Sequence, residues 1–282
     1  MTEVPAIRSN AGMGTDVTAG TSQTPWGEVD FDSEVWRRWQ LGPTTLWIQR
    51  LPNEWRVAWQ ESRDPGVELP LEVAREDPEG APEAAQCERI ASHRLSERLR
   101  LSPRLADRSV VARPETRFRL APQGEVEIFV GTAVWLCLEN VDPELVLLEV
   151  PARRLSDSWF GPSTTRGELC YSSQTAARLQ RQNIPYAVHR AFTRVLLRNH
   201  AADDLVLERI NLPVPNLALF EDPEGVLWTQ SIRMERASDG KGAEVQIEAG
   251  PPDFSAASRR IAGPRVQVQR NIFSKALDAL LD

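Results

Sequence analysis

Residues 53–61 read NEWRVAWQE, and the spacing of their large side chains decides the fold class. Trp55, Val57 and Trp59 alternate with Glu54, Arg56, Ala58 and Gln60. That is the period of two of a half-buried strand, whose successive side chains leave on opposite faces. The preceding TTLWIQR, residues 44–50, reads as its partner across the Pro52-Asn53 turn. With Trp36, Trp39 and Trp47, and a second break at Gly42-Pro43, the spacing predicts a meander of short strands carrying a tryptophan face. The tryptophan strands are expected to be exposed, which makes Trp55 and Trp59 candidate partner contacts.

The same period recurs downstream. In EVEIFV, residues 125–130, Val126, Ile128 and Val130 point one way and Glu125 and Glu127 the other. VWLCLE follows and is apolar on both faces, as a central strand would be, and ELVLLEV continues the sheet after Asp142-Pro143. FTRVLLRNHAADDLVLERINLPVP reads as two β-rich runs around a polar turn, in the manner of adjacent strands of an immunoglobulin-like sandwich. LALFEDPEGVLWTQSIRME is a hairpin about its DPEG turn, and AEVQIEA supplies a last strand. The expected fold is therefore mostly β, a β-sandwich that is immunoglobulin-like or a partly closed barrel, with a tryptophan-rich N-terminal meander.

Between and around these runs the composition changes. Residues 1–28 are rich in Gly, Ser, Thr and Ala and are expected to form a disordered arm. Residues 63–88 are acidic and proline-rich with weak periodicity, which predicts a long loop inside an N-terminal β domain spanning 29–140. A C-terminal sandwich domain is expected over 141–260 and a tail over 261–282. In that tail Ile272, Phe273, Ala276, Leu277, Leu280 and Leu281 recur at helical spacing behind Asn271, a plausible cap. A helix of about three turns is marginal alone in water, so Phe273 and Leu277 are expected to dock, either on the chain's own body or on a partner.

Charge and cysteine usage exclude several classes. Forty acidic against 33 basic residues give a net charge of −7, which works against non-specific binding to nucleic acid or anionic lipid. Lys241 and Lys275 are the only lysines, so the arginines read as a sequence-wide bias and no nucleic-acid partner is expected. Cys87, Cys137 and Cys170 form no C-x-x-C pair, and an odd, sparse set argues for a reducing compartment. Neither a signal-peptide pattern nor an apolar run of membrane-spanning length is present in the sequence. A cytoplasmic protein is the expectation.

No catalytic motif stands out. The sequence holds no G-x-S-x-G elbow, no H-E-x-x-H and no phosphate-binding glycine loop, so no catalytic residue, metal or cofactor is assigned. His93, His189 and His200 have no partner motif and read as surface or turn residues. The most singular stretch is RLSDSWFGPSTTRGELCYSS, residues 154–173, which reads as a loop. Asp157, Arg166 and Glu168 offer polar recognition groups there, with Ser156, Ser163 and Thr164. Trp159 and Phe160 either anchor a partner or plug one end of the sandwich.

RLSDSWFGPSTTRGELCY, followed by HRAFTRVLLRNHAADDLVLERINLPVPNLALFEDPEGVLWTQSIRMER, resembles a prokaryotic family known as domain of unknown function 432, over roughly residues 95–236. The SDSWFGPSTxxGELCY core and the LPVPxLxLF exit are its specific parts. The resemblance implies no activity or catalytic residues. It does imply an association with small-conductance mechanosensitive channels, and hence a non-enzymatic cytoplasmic accessory or regulatory module, peripheral to the inner membrane through its partner. Two alternatives stand beside that reading. One is a hydrolase acting through carboxylates such as Asp157 and Glu168, and the other a carbohydrate-binding sandwich with exposed tryptophans.

Overall fold

The computed structural model describes residues 24–62, 64, 71–163, 165–239 and 243–267. Among them the chain is mostly β, with 22 strands in five sheets and three single-turn 3-10 helices. Phe273, Leu277 and the helix expected around them lie outside the described residues, as do residues 1–23.

The tryptophan meander forms an antiparallel five-stranded sheet. Its order is Glu72–Asp77, Trp36–Leu41, Thr44–Leu51, Glu54–Glu61 and Gln86–Ala91. Leu46 pairs with both Trp39 and Trp59, and Ile48 pairs with Val57, so these side chains share one face. The alternation is as expected, but its direction is inward. Trp39, Leu46, Ile48, Trp55 and Val57 belong to the main core, and Trp55 is 0% exposed with Phe31 set edge-on at 4.8 Å. Trp55 is therefore a core residue and not a partner contact.

The acidic stretch 63–88 is also corrected, because it contains the strand Glu72–Asp77 and the start of the strand Gln86–Ala91. Glu72–Asp77 lies at the sheet edge beside the basic strand Trp36–Leu41, where Arg37 pairs with Glu76 and Arg38 reaches Glu72. Charged side chains suit an edge strand, where they discourage pairing with other chains. They also erased the hydrophobic period that would have announced it.

A second sheet joins Gly27–Asp30, Arg98–Arg104, Trp135–Asn140 and Leu145–Pro151. Its first strand begins inside the stretch expected to be an arm, and Trp26 packs against the core. Trp135–Asn140 is central, as its two apolar faces required. Its hairpin with Leu145–Pro151 crosses the expected domain boundary at 140, and the main core cluster runs from Phe31 to Val245.

The largest sheet is built on Arg190–Asn199. One edge of that strand pairs antiparallel with Glu125–Ala133, and the other pairs parallel with Leu227–Thr229 and Ile232–Arg236. The DPEG hairpin forms as expected, with Leu219–Glu221 against Leu227–Thr229 and the Asp222 carboxylate accepting from Trp228 Nε1 at 2.9 Å. The two β-rich runs around 200–204, however, are not paired with each other. Leu205–Leu207 turns away to Phe118–Leu120.

Candidate functional site

Residues 154–173, expected to be a loop, form a hairpin of Ser156–Ser163 and Arg166–Thr175. It continues through a parallel pairing with Val110–Pro114. Its register fixes which side chains share a face. Asp157 lies opposite Tyr171 and Trp159 opposite Leu169, while Ser158 lies opposite Cys170 and Phe160 opposite Glu168. Cross-strand partners share a face and successive residues alternate. Asp157, Trp159, Leu169 and Tyr171 therefore stand on one face, and Phe160, Glu168 and Cys170 on the other.

This separation divides the candidates. Phe160 is 3% exposed and closes a small core with Val111 and Cys170. Trp159 is 43% exposed and its neighbour Leu169 47% exposed, which makes an apolar pair at the surface. The indole is nonetheless fixed, since Nε1 donates to Ser163 O at 2.9 Å and a Cβ on Gly167 would come within 2.7 Å of that nitrogen. Only a glycine lets the ring lie this close to the opposite strand. Arg166 sits at the turn, exposed, with its backbone N–H donating to Ser163 Oγ.

Asp157 and Glu168 do not meet. Asp157 pairs with Arg108 at 3.1 Å on the tryptophan face, and Glu168 accepts from Asn211 Nδ2 at 2.7 Å on the other. A catalytic carboxylate pair must flank one reacting bond, so these two cannot act together. Burial and the Asp107 hydrogen bond hold the Tyr171 phenol above its ordinary range. Burial likewise pushes the thiols of Cys137 and Cys170 up to about 12, where little nucleophilic thiolate exists at neutral pH. Of the tryptophans on the meander sheet, Trp39 and Trp55 are fully buried and Trp36 and Trp59 half-buried, whereas Trp159 on the hairpin is exposed. Trp59 is half-buried and lines a hollow of about 420 Å³ with Thr44, Glu61, Gln86 and Arg154.

A larger cleft of about 610 Å³ opens beside the hairpin, between the Arg190–Asn199 sheet and residues 172–178. Arg153, Arg154, Arg178 and Arg190 line it, opposed by the carboxylates of Glu61 and Glu115. Glu61 accepts from the Arg154 backbone N–H at 3.1 Å and lies 3.8 Å from Arg153 Nε. The cross-strand hydroxyls of Ser156 and Ser172 stand at its hairpin wall. His189, expected at a surface or turn, is 1% exposed, and its Nδ1 has no hydrogen-bond partner among the described residues. Burial, with Arg190 and Arg153 nearby, lowers its pKa to about 4, so the ring is neutral at physiological pH.

The cleft arginines were hidden in the sequence because a general abundance of arginine carries no positional information. The doublet Arg153-Arg154 directly after a strand was the one local signal. Among the described residues no group of three or more His, Cys, Asp or Glu side chains is placed to hold a metal ion. None of the described helices is long and apolar enough to cross a membrane.

A family model described as "Protein of unknown function (DUF432)" matches residues 25–281, which extends well beyond the stretch whose motifs carry the resemblance. No curated protein and no solved structure matches the chain.

Proposed function

From the premise that this chain belongs to the DUF432 family, we propose that it works by binding, as a non-enzymatic accessory or regulatory module that docks on another protein through the Trp159–Leu169 face of its hairpin. One observation carries the reading. Trp159 is exposed, yet its ring is pinned by the Ser163 carbonyl and by the flat surface of Gly167. An exposed aromatic that is already ordered loses little side-chain entropy on binding, which is why such residues dominate interface energetics. Asp157 with Arg108, and Tyr171 with Asp107, form a polar border on the same face.

The partner to test first is the cytosolic part of a small-conductance mechanosensitive channel, the association that the family resemblance implies. The protein would then be a cytoplasmic one held near the inner membrane by its partner. The mechanism is differential affinity, in which tighter binding to one channel state shifts the population toward it. The Asp157 and Glu168 geometry and the raised Cys137 and Cys170 pKa values favour this over hydrolysis. Sedimentation of the purified chain with vesicles carrying the purified channel, against empty vesicles, tests it. Channel-dependent sedimentation that is lost in Trp159→Ala supports the reading. Equal behaviour on both vesicles overturns the choice of partner.

A further inference from the structure

The floor of the large cleft is shaped by a register. Gly131 lies opposite Phe192 and Ala133 opposite Arg190. A Cβ on Gly131 would come within 2.9 Å of the Phe192 ring and 3.6 Å of Arg190 Nη1. The absence of a side chain at Gly131 thus lets the Phe192 ring lie against the opposite strand, with Arg190 beside it. At about 610 Å³ the space has the size of a small-molecule site, typically about 300–1,000 Å³.

Its charge runs against the rest of the molecule. The chain carries −7, yet four arginines and only two carboxylates line this cleft. Arg154 and Arg178 are exposed, and neither guanidinium makes an ion pair or a side-chain hydrogen bond among the described residues. Guanidinium groups present forked donors that match phosphate oxygens. Ser156 and Ser172 add neutral donors at the hairpin wall. The apolar part of the lining is Phe129, Ile184, Pro185 and Phe192, with Pro185 exposed, and it adjoins Arg178, whose carbonyl accepts from the Phe129 N–H at 2.8 Å.

We propose that this cleft binds a small phosphorylated molecule with a flat apolar portion, the chemistry of a mononucleotide, its phosphates on Arg154 and Arg178 and its flat part against Phe129, Ile184 and Pro185. A polymeric nucleic acid is disfavoured by the net negative charge of the chain. Neither Trp159 nor Leu169 lines the cleft. Arg154 and Ser156 also line a hollow with Asp157 and Tyr171 at the border of the Trp159–Leu169 face, but Arg178 does not, so Arg178→Gln lets either assignment fail without the other.

Isothermal titration of the full chain with ATP, sodium tripolyphosphate and adenosine tests the proposal. ATP is expected to bind saturably at one site, tripolyphosphate more weakly and adenosine most weakly. Arg154→Gln and Arg178→Gln should each weaken ATP about tenfold or more, by loss of a charge-assisted hydrogen bond. Arg117→Gln, on an exposed arginine outside the cleft, should leave it unchanged. On the wild-type chain, ATP affinity should also fall as salt is raised. Absence of saturable ATP binding, affinity indifferent to salt, or ATP binding that survives both cleft variants overturns the site. Tripolyphosphate matching ATP overturns the apolar half of the assignment.

Discussion

A Cβ built on Gly42 would stand 2.1 Å from Nδ1 of His189. Gly42 has φ +60° in the turn between the first two strands of the tryptophan sheet, and His189 precedes the central strand of the largest sheet. The contact therefore ties two sheets together through a glycine and a buried ring. Gly42→Ala combines a left-handed backbone with an overlap that a 1% exposed imidazole cannot relieve by moving into solvent. The expected cost is ~2–4 kcal/mol in urea unfolding. An unchanged midpoint would show that the ring repacks freely.

His189 also makes stability depend on pH. Its folded pKa, about 4, lies below its ordinary value of 6.5, so below pH 6.5 the unfolded chain takes up a proton that the folded chain refuses. Its contribution is complete above pH 6.5 and declines as pH falls toward 4. The loss amounts to at most about 3–4 kcal/mol, because each tenfold drop in proton affinity is worth about 1.4 kcal/mol. Urea midpoints between pH 7.5 and 4.5 should decline in the wild type and flatten in His189→Gln. Parallel curves would exclude the histidine as the source.

The cysteines should differ in reactivity. Cys87 is exposed, whereas Cys137 and Cys170 are buried with raised pKa values. Iodoacetamide on the native chain at pH 7.5, read by mass spectrometry, should label Cys87 first and leave the other two until denaturant is added. Equal labelling of all three in the native state would contradict their burial.

Adjacent positions in the hairpin should separate stability from binding. Phe160→Ala empties the small core with Val111 and Cys170 and should cost ~3–5 kcal/mol of stability. Trp159→Ala removes an exposed ring and one hydrogen bond and should cost ~1 kcal/mol or less. Thermal melts of the two variants compare them directly, and equal losses would return Trp159 to a purely structural role.

How far the sequence is legible depends on which force leaves a periodic trace. Burial does, so Trp55, Val57 and Trp59 announce a strand, as do Val126, Ile128 and Val130. Alternation says that a face is covered or bare only once its surroundings are known, and for that reason Trp55 read as an exposed contact while it lies in the core. Charge pairing leaves no such trace. Glu72–Asp77 is held beside Arg37 and Arg38, partners more than thirty residues away, and it read as a spacer. The hairpin 156–175 was hidden in the same way, because hydroxyl residues, a proline and glycines interrupt any apolar period in its sequence. Convergence is the least legible of all. Arg154, Arg178 and Arg190 meet at one cleft because three separate segments bring them there, and nothing in their spacing foretells it. The resemblance carried by SDSWFGPSTTRGELCY, by contrast, extends to a family match over 25–281.

Docking through the Trp159–Leu169 face is tested most directly by proximity. A photo-crosslinking amino acid placed at Trp159, and separately at Arg117 on an exposed strand junction away from the hairpin face, can be activated in membranes that contain the candidate channel and read by mass spectrometry. A channel adduct is expected from position 159 and none from 117. Adducts from both positions alike, or from neither while the folded chain is present beside the channel, would contradict docking through this face.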